Sequence, residues 1–186
     1  MKLELSPQIL NEIKGIVYRT DVETGVRLIG TVKGTGYIVM HVIGPGQKAK
    51  QETYAYECDN DYAEREFARL LEGNPDLKFL GELHVHPSGF PRLSGTDLRT
   101  VRQVLKDYPF FIAGVIERHP FSMRPILFTK DKSELMEVSC DIQPKPKRKR
   151  SFVREVRGRY RLWKRRRRRR RDARAFGSRE AHSDRS

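Results

Sequence analysis

The sequence predicts an α/β domain of the α+β kind, a mixed, mostly antiparallel sheet flanked by helices, followed by a disordered basic tail. Two observations carry this reading. Along residues 1–141 the apolar positions switch between helical and strand periodicity, and short Gly- and Pro-bearing turns separate the runs. The charge is also divided: residues 1–144 hold 18 Lys and Arg against 20 Asp and Glu, whereas residues 145–186 hold 20 against 4. The net charge of +14 therefore belongs to the C-terminal segment, and the rest has the balance of an ordinary folded domain. One domain over residues 1–141 and a Lys/Arg-rich tail over 142–186 are expected.

Each element has a local reason. Ser6-Pro7 is an N-cap followed by proline at the first helical position, and Ile9, Leu10, Ile13, Ile16 and Val17 recur at helical spacing, so a helix is predicted to about Thr20. Residues 26–31 and 37–43 are β-rich runs on either side of Lys33-Gly34-Thr35-Gly36, the pattern of a hairpin. Gly44-Pro45-Gly46 breaks the second strand, and residues 53–58 are a further strand candidate. Residues 62–71 alternate charge with Phe67, Leu70 and Leu71, as a half-buried helix does. Residues 78–86 predict a strand that runs into a Pro/Gly/Ser-rich loop over 87–95. A helix follows, turning Leu98, Val101, Val104 and Leu105 inward, and residues 110–117, 125–129 and 135–140 close the sheet. After Gln143 the run Pro144-Lys145-Pro146-Lys147-Arg148 has nothing to build a core from.

Several function classes are set aside by composition. The opening MKLELSPQIL carries charge and proline within its apolar stretch and does not read as a signal peptide. No run approaches the ~18 apolar residues that span a bilayer. Cys58 and Cys140 make neither a disulfide framework nor a CxxC motif, so a reducing, cytoplasmic setting is expected.

The informative segment is HVHPSGFPRLSGTD, from His84 to Asp97. Side chains alternate along a strand, so His84 and His86 share a face, roughly 6–7 Å apart along the chain, with Val85 on the other. Two imidazoles on one face can converge on one metal ion. The loop then returns the chain to a helix start bearing Asp97. Two His and one carboxylate leave a fourth tetrahedral position for water, as a catalytic zinc requires. Ser94-Gly95-Thr96-Asp97 is equally a capping box for the helix, and that role alone accounts for Ser94 and Asp97 in most proteins.

Together these residues fit the pattern H-x-H-x7-S-x-x-D without a mismatch. In this the chain resembles the JAB/MPN/JAMM zinc metalloproteases, in particular their compact prokaryotic branch, over about residues 1–140. The resemblance implies a cytidine-deaminase-like JAB/MPN domain holding one Zn2+ on His84, His86 and Asp97. It implies Ser94 as a helper that stabilises the tetrahedral intermediate. A glutamate after the first helix, at the start of a strand, acts in the family through the zinc-bound water, and Glu23 is the candidate here. Glu82, on the face of His84, is the rival carboxylate, read as a supporting group because it lies two residues before a ligand. Val85 departs from the Ser or Thr that many relatives carry between the histidines, at a position expected to face away from the metal. The implied activity is deubiquitinase-like hydrolysis of isopeptide or peptide bonds after the C-terminal glycine of ubiquitin-like proteins. A Gly-Gly tail suits a narrow metal cleft and can add as a strand to a sheet edge.

Other readings stand beside this one. The same site fits processing of a sulfur-carrier protein of the ubiquitin fold. A nucleic-acid-associated JAB protein would act through its tail, and a metal-free MPN scaffold would only bind. His41, His119 and His182 lack partners at ligand spacing, and both cysteines are read as packed or idle thiols. In the tail, Tyr160 and Trp163 precede seven consecutive arginines at 165–171. This is either a tether for nucleic acid, ribosome or anionic membrane, with the aromatics stacking on bases, or a solvated appendage. Base-specific recognition is expected in neither case.

Overall fold

A computed structural model describes residues 2–87, 89–131, 134–139 and 141–144, with side chains as far as residue 130. In chain order the elements are β1 (Lys2–Leu5), α1 (Pro7–Val17), β2 (Gly25–Lys33), β3 (Gly36–Ile43), β4 (Lys50–Glu52), β5 (Ala55–Glu57) and α2 (Asn60–Gly73). There follow β6 (Lys78–Val85), α3 (Gly95–Val104), β7 (Phe110–Glu117), β8 (Ser122–Asp131), β9 (Glu134–Ser139) and β10 (Asp141–Pro144).

Eight strands form one mixed sheet in the order β10-β1-β3-β2-β6-β7-β8-β9, and β4 with β5 makes a separate hairpin. Neighbours are antiparallel at β2/β3, β2/β6, β7/β8 and β8/β9, and parallel at β1/β10, β1/β3 and β6/β7. The expected hairpin is present: Lys33 pairs with Gly36, and Gly34 at φ 56 begins the two-residue turn. A parallel pair needs a crossover, and α3 supplies it between β6 and β7.

The helices form a layer on each face. Ser6 caps α1, its hydroxyl accepting from Ile9 N at 3.1 Å. Ile9, Ile13 and Val17 of this helix bury against Leu3, Leu5, Val26, Leu28, Leu83 and Val85. On the opposite face α3 packs Val101 with Phe111, Ala113 and Phe128, and α2 packs Ala63 with Ile29 and Ile43. Leu28 and Ile29 thus serve different layers, as strand alternation requires. Each such buried aliphatic side chain contributes about 1.5–3 kcal/mol relative to leaving it in water.

Four elements depart from the sequence expectation. β1 was not expected, yet Leu3 and Leu5 are fully buried; two apolar positions beside a helix cap are too short a pattern to stand out. The strand expected over 53–58 is the turn and second strand of the β4–β5 hairpin, whose first strand was not expected. β8 begins at Ser122, because Glu117 pairs with Ser122 across the turn. β10 reaches Pro144 and pairs with β1. The tail beyond it, including Tyr160, Trp163 and the arginine run, lies outside the described residues, as do Cys140 and His182.

One glycine aims the site. At Gly81 the β2–β6 register shifts, φ is 153, and a Cβ would lie 1.9 Å from the Ile112 carbonyl oxygen. Beyond this bulge the alternation is regular. Leu83 and Val85 enter the α1 core, so Glu82, His84 and His86 point to the α2/α3 face. Val85 does face away from the histidine cluster.

Candidate metal centre

β6 presents His84, His86 follows directly after its last residue, and α3 brings Asp97 to them from its first turn. The two Nε2 atoms are 2.8 Å apart. Asp97 Oδ1 lies 3.5 Å from His84 Nε2, and Oδ2 lies 3.5 Å from His86 Nε2. Among the described residues this is the group of His, Cys, Asp and Glu whose donor atoms, within 4.8 Å of one another, can hold a metal ion. A tetrahedral zinc with bonds of about 2.0–2.2 Å separates its ligand atoms by about 3.3–3.6 Å. The carboxylate distances match that spacing, and the imidazole pair needs to open by roughly half an ångström.

The protonation pattern also fits a cation. His86 Nδ1 lies 3.0 Å from the Phe90 carbonyl oxygen, which only accepts, so Nδ1 holds its proton, and it is from Nε2 that a proton must leave to free a lone pair for a cation. The Phe90 ring stacks on His86 at 6.4 Å between centroids. The hydrogen bond to Asp97 raises the His86 pKa against the effect of burial, and the bond to Phe90 adds to the rise. Burial alone would raise the Asp97 carboxyl, but hydrogen bonds from His84, His86 and Ser94 outweigh it and hold the group far below the ordinary carboxylate range. Asp97 is therefore ionised at any working pH, as a metal ligand must be.

Ser94 and Asp97 do form the capping box. Ser94 Oγ accepts from Asp97 N at 3.2 Å, and Asp97 Oδ2 accepts from Ser94 N at 2.5 Å. The cap orients the carboxylate, so capping and metal binding are compatible uses of the same residue. Ser94 Oγ is thereby engaged as an acceptor, while its hydroxyl hydrogen bond to the Asp97 carboxylate helps to hold that group ionised.

Glu23 reaches the cluster by register. Gly25 pairs with His84, and Val85 N donates to Thr24 O at 2.8 Å, so continuing the antiparallel ladder sets Glu23 opposite His86. Burial pushes the Glu23 carboxyl above its usual range, against the opposing pull of His86 and His84, while Asp97 adds to the rise. A carboxylate whose pKa is raised and which feels two imidazoles is suited to accepting and returning a proton. Glu82 is differently engaged: its carboxylate meets Arg27 Nε at 3.4 Å, and Arg27 also donates to Asn60 Oδ1 at 2.6 Å. Burial raises the Glu82 carboxyl, with Arg27 the main opposing influence.

Sequence reasoning missed the groups that hold Glu23 in place. Arg118, at the end of β7, donates to the carbonyls of Val17, Asp21 and Val22 at 2.8, 3.1 and 2.7 Å. It closes the end of α1 and fixes the loop leading to Glu23; nothing local in the sequence signals a partner about 100 residues away. Replacing Arg118 with alanine is expected to lower unfolding stability by about 1.5–3 kcal/mol. Lysine should not restore it, because an ammonium cannot fork across three carbonyls. Denaturant unfolding of both variants checks this, and full recovery by lysine would contradict it. Among the described residues, His119 packs on Tyr18 at 5.6 Å, and Cys58 Sγ meets the Pro45 carbonyl at 3.4 Å.

No protein-family model matches the chain. Among curated proteins, the CD-NTase/cGAS isopeptidase of Escherichia coli (strain TW11681) is 26% identical over 105 residues, 56% of this chain and 61% of that protein. The match thus spans less than two thirds of the relative's length. Among solved structures, the solution structure of protein DSY2949 from Desulfitobacterium hafniense superposes with a TM-score of 0.59 at 18% identity, covering 79% of this chain and 97% of the other. That second likeness concerns the fold alone. No helix among the described residues is long and apolar enough to cross a membrane.

Proposed function

We propose that this chain is a JAB/MPN/JAMM-type zinc peptidase that hydrolyses the isopeptide or peptide bond after the C-terminal glycine of a ubiquitin-like protein. The observation that carries the reading is the convergence of His84, His86 and Asp97, and the influence of their charges on the Glu23 carboxyl supports a role for Glu23. The partial match to a protein named as an isopeptidase supports the reaction class.

Zn2+ held by His84, His86 and Asp97 would supply Lewis acidity, which brings the pKa of water from 15.7 to ~7. The chain's own residues do the rest. Glu23, partly buried and opposite His86, takes the proton of the attacking water and returns it to the leaving amine. Ser94 turns its hydroxyl from Asp97 to donate a hydrogen bond to the oxygen of the scissile carbonyl as charge develops there. The Phe90 carbonyl holds His86 in the tautomer that keeps Nε2 available. A glycine at the cleaved position presents no side chain to these residues.

The substrate is a ubiquitin-like protein or its conjugate. By the name of the Escherichia coli relative, a conjugate of a CD-NTase/cGAS enzyme is the first acceptor to try, and sulfur-carrier proteins of the ubiquitin fold offer the same C-terminal chemistry. The test is a ubiquitin-like protein extended beyond its C-terminal glycine. Cleavage at that glycine is expected, blocked by a metal chelator and spared by thiol alkylation. Cysteine peptidases show the reverse pattern, since they need a thiolate. Cutting of unstructured peptides alone, with every ubiquitin-like fusion intact, would replace this reading with a general protease.

A further inference from the structure

We infer that the β4–β5 hairpin is a clasp that positions the Glu23 carboxylate, with Gln51 as its principal side chain. The inference rests on the peptidase reading, since it gives Glu23 the proton-transfer role.

Glu23 lies two residues before β2, past the last Cα pair of the β2–β6 ladder at Gly25 and His84. The hairpin holds its backbone N–H and also contacts the two residues that follow it. Glu23 N donates to Glu52 O at 3.0 Å. Gln51 Nε2 donates to Thr24 Oγ1 at 2.6 Å. The Tyr56 ring lies on Gly25 so closely that a Cβ there would be 2.5 Å from Cε1.

The register explains why one small hairpin makes all three. Gln51 pairs with Tyr56, so both side chains leave the same face, and that face sits on Thr24 and Gly25. A two-stranded hairpin is marginal by itself in water, so its conformation depends on this seat. Thr24 is fully buried, and its hydroxyl needs the Gln51 amide to remain satisfied. Gly25 pairs in turn with His84. The hairpin therefore ties the proton-transfer residue to the strand that carries the histidines, and a shift of the hairpin shifts Glu23 relative to them.

A positioning role differs from a purely structural one in what it changes. Thr24→Val, Gln51→Leu, their combination and Thr24→Ser are to be compared on the zinc-loaded full chain, with a ubiquitin-like fusion as substrate. A displacement of about 1 Å at a reacting group costs up to about 100-fold, so kcat should fall about 10- to 100-fold in Thr24→Val and Gln51→Leu. KM and zinc content should stay at wild-type values. The double variant should be no worse than either single one, because both remove the same bond. Thr24→Ser restores the hydroxyl and should recover most of the loss.

A second readout does not depend on turnover. Hydrogen exchange at the Glu23 amide, which the Glu52 carbonyl protects, should quicken about 10-fold in Gln51→Leu, in the metal-free protein as well. Wild-type kcat in both single variants, beside an inactive Glu23→Gln, would overturn the clasp and leave the peptidase reading intact. So would additive losses, a rise in KM alone, or unchanged exchange at Glu23. Absence of chelator-sensitive cleavage in the wild type would remove the peptidase reading and, with it, this role for the hairpin.

Discussion

Glu23→Gln should abolish turnover while leaving zinc and fold in place: kcat is expected to fall by about 10²–10⁴-fold with metal content unchanged. The amide keeps the shape and its backbone bond to Glu52, but it cannot take a proton. Glu82→Gln is the control that distinguishes the two carboxylates. Glu82 faces Arg27, and Arg27 keeps its bond to Asn60 when that partner becomes neutral. Its variant should therefore lose some stability and little kcat. Steady-state kinetics with metal analysis on the same preparations decides between them. An active Glu23→Gln beside an inactive Glu82→Gln would move the proton-transfer role to Glu82.

The site was legible in the sequence where its residues are close along the chain. His84, His86, Ser94 and Asp97 fall within one strand, loop and helix start, so alternation and capping rules suffice to bring them together. The direction of Val85 followed from the same alternation. Glu23 was reachable only through a family resemblance, because its approach depends on β2 lying antiparallel to β6, and local sequence does not name a strand's partner. The supporting groups were not legible at all. Arg118 acts from the far end of β7, and the β4–β5 hairpin reveals itself only by what it rests on. Among the fold elements, the helix caps at Ser6 and Ser94 were read from residue type. The Asp59 cap of α2, which accepts from Tyr62 N, was passed over because a charged run hid it. β1 escaped because its pairing with β3 and β10 is parallel and distant in sequence.

Removing a ligand should have the broadest effect of all. His84→Ala and Asp97→Ala are expected to reduce bound zinc from about one per chain to a small fraction, and cleavage should disappear with it. The two positions should nevertheless differ in stability. His84 is buried on β6, and its loss leaves a small cavity against the sheet. Asp97 also accepts from Ser94 N as half of the capping box, so its alanine variant loses that hydrogen bond, worth about 0.5–1.5 kcal/mol, even without metal. Asp97→Asn separates the roles: its side-chain oxygen can still accept from Ser94 N, while the charge that holds the cation is gone. It should therefore keep most of the metal-free stability and lose the zinc. Thermal unfolding with and without added zinc makes the comparison direct. A ligand at 100 times its Kd stabilises the folded state by about 2.7 kcal/mol, so wild type should shift upward and all three variants should not. A wild-type protein that neither carries nor takes up zinc, yet cleaves a ubiquitin-like fusion at full rate, would end the metal-centre reading for His84, His86 and Asp97.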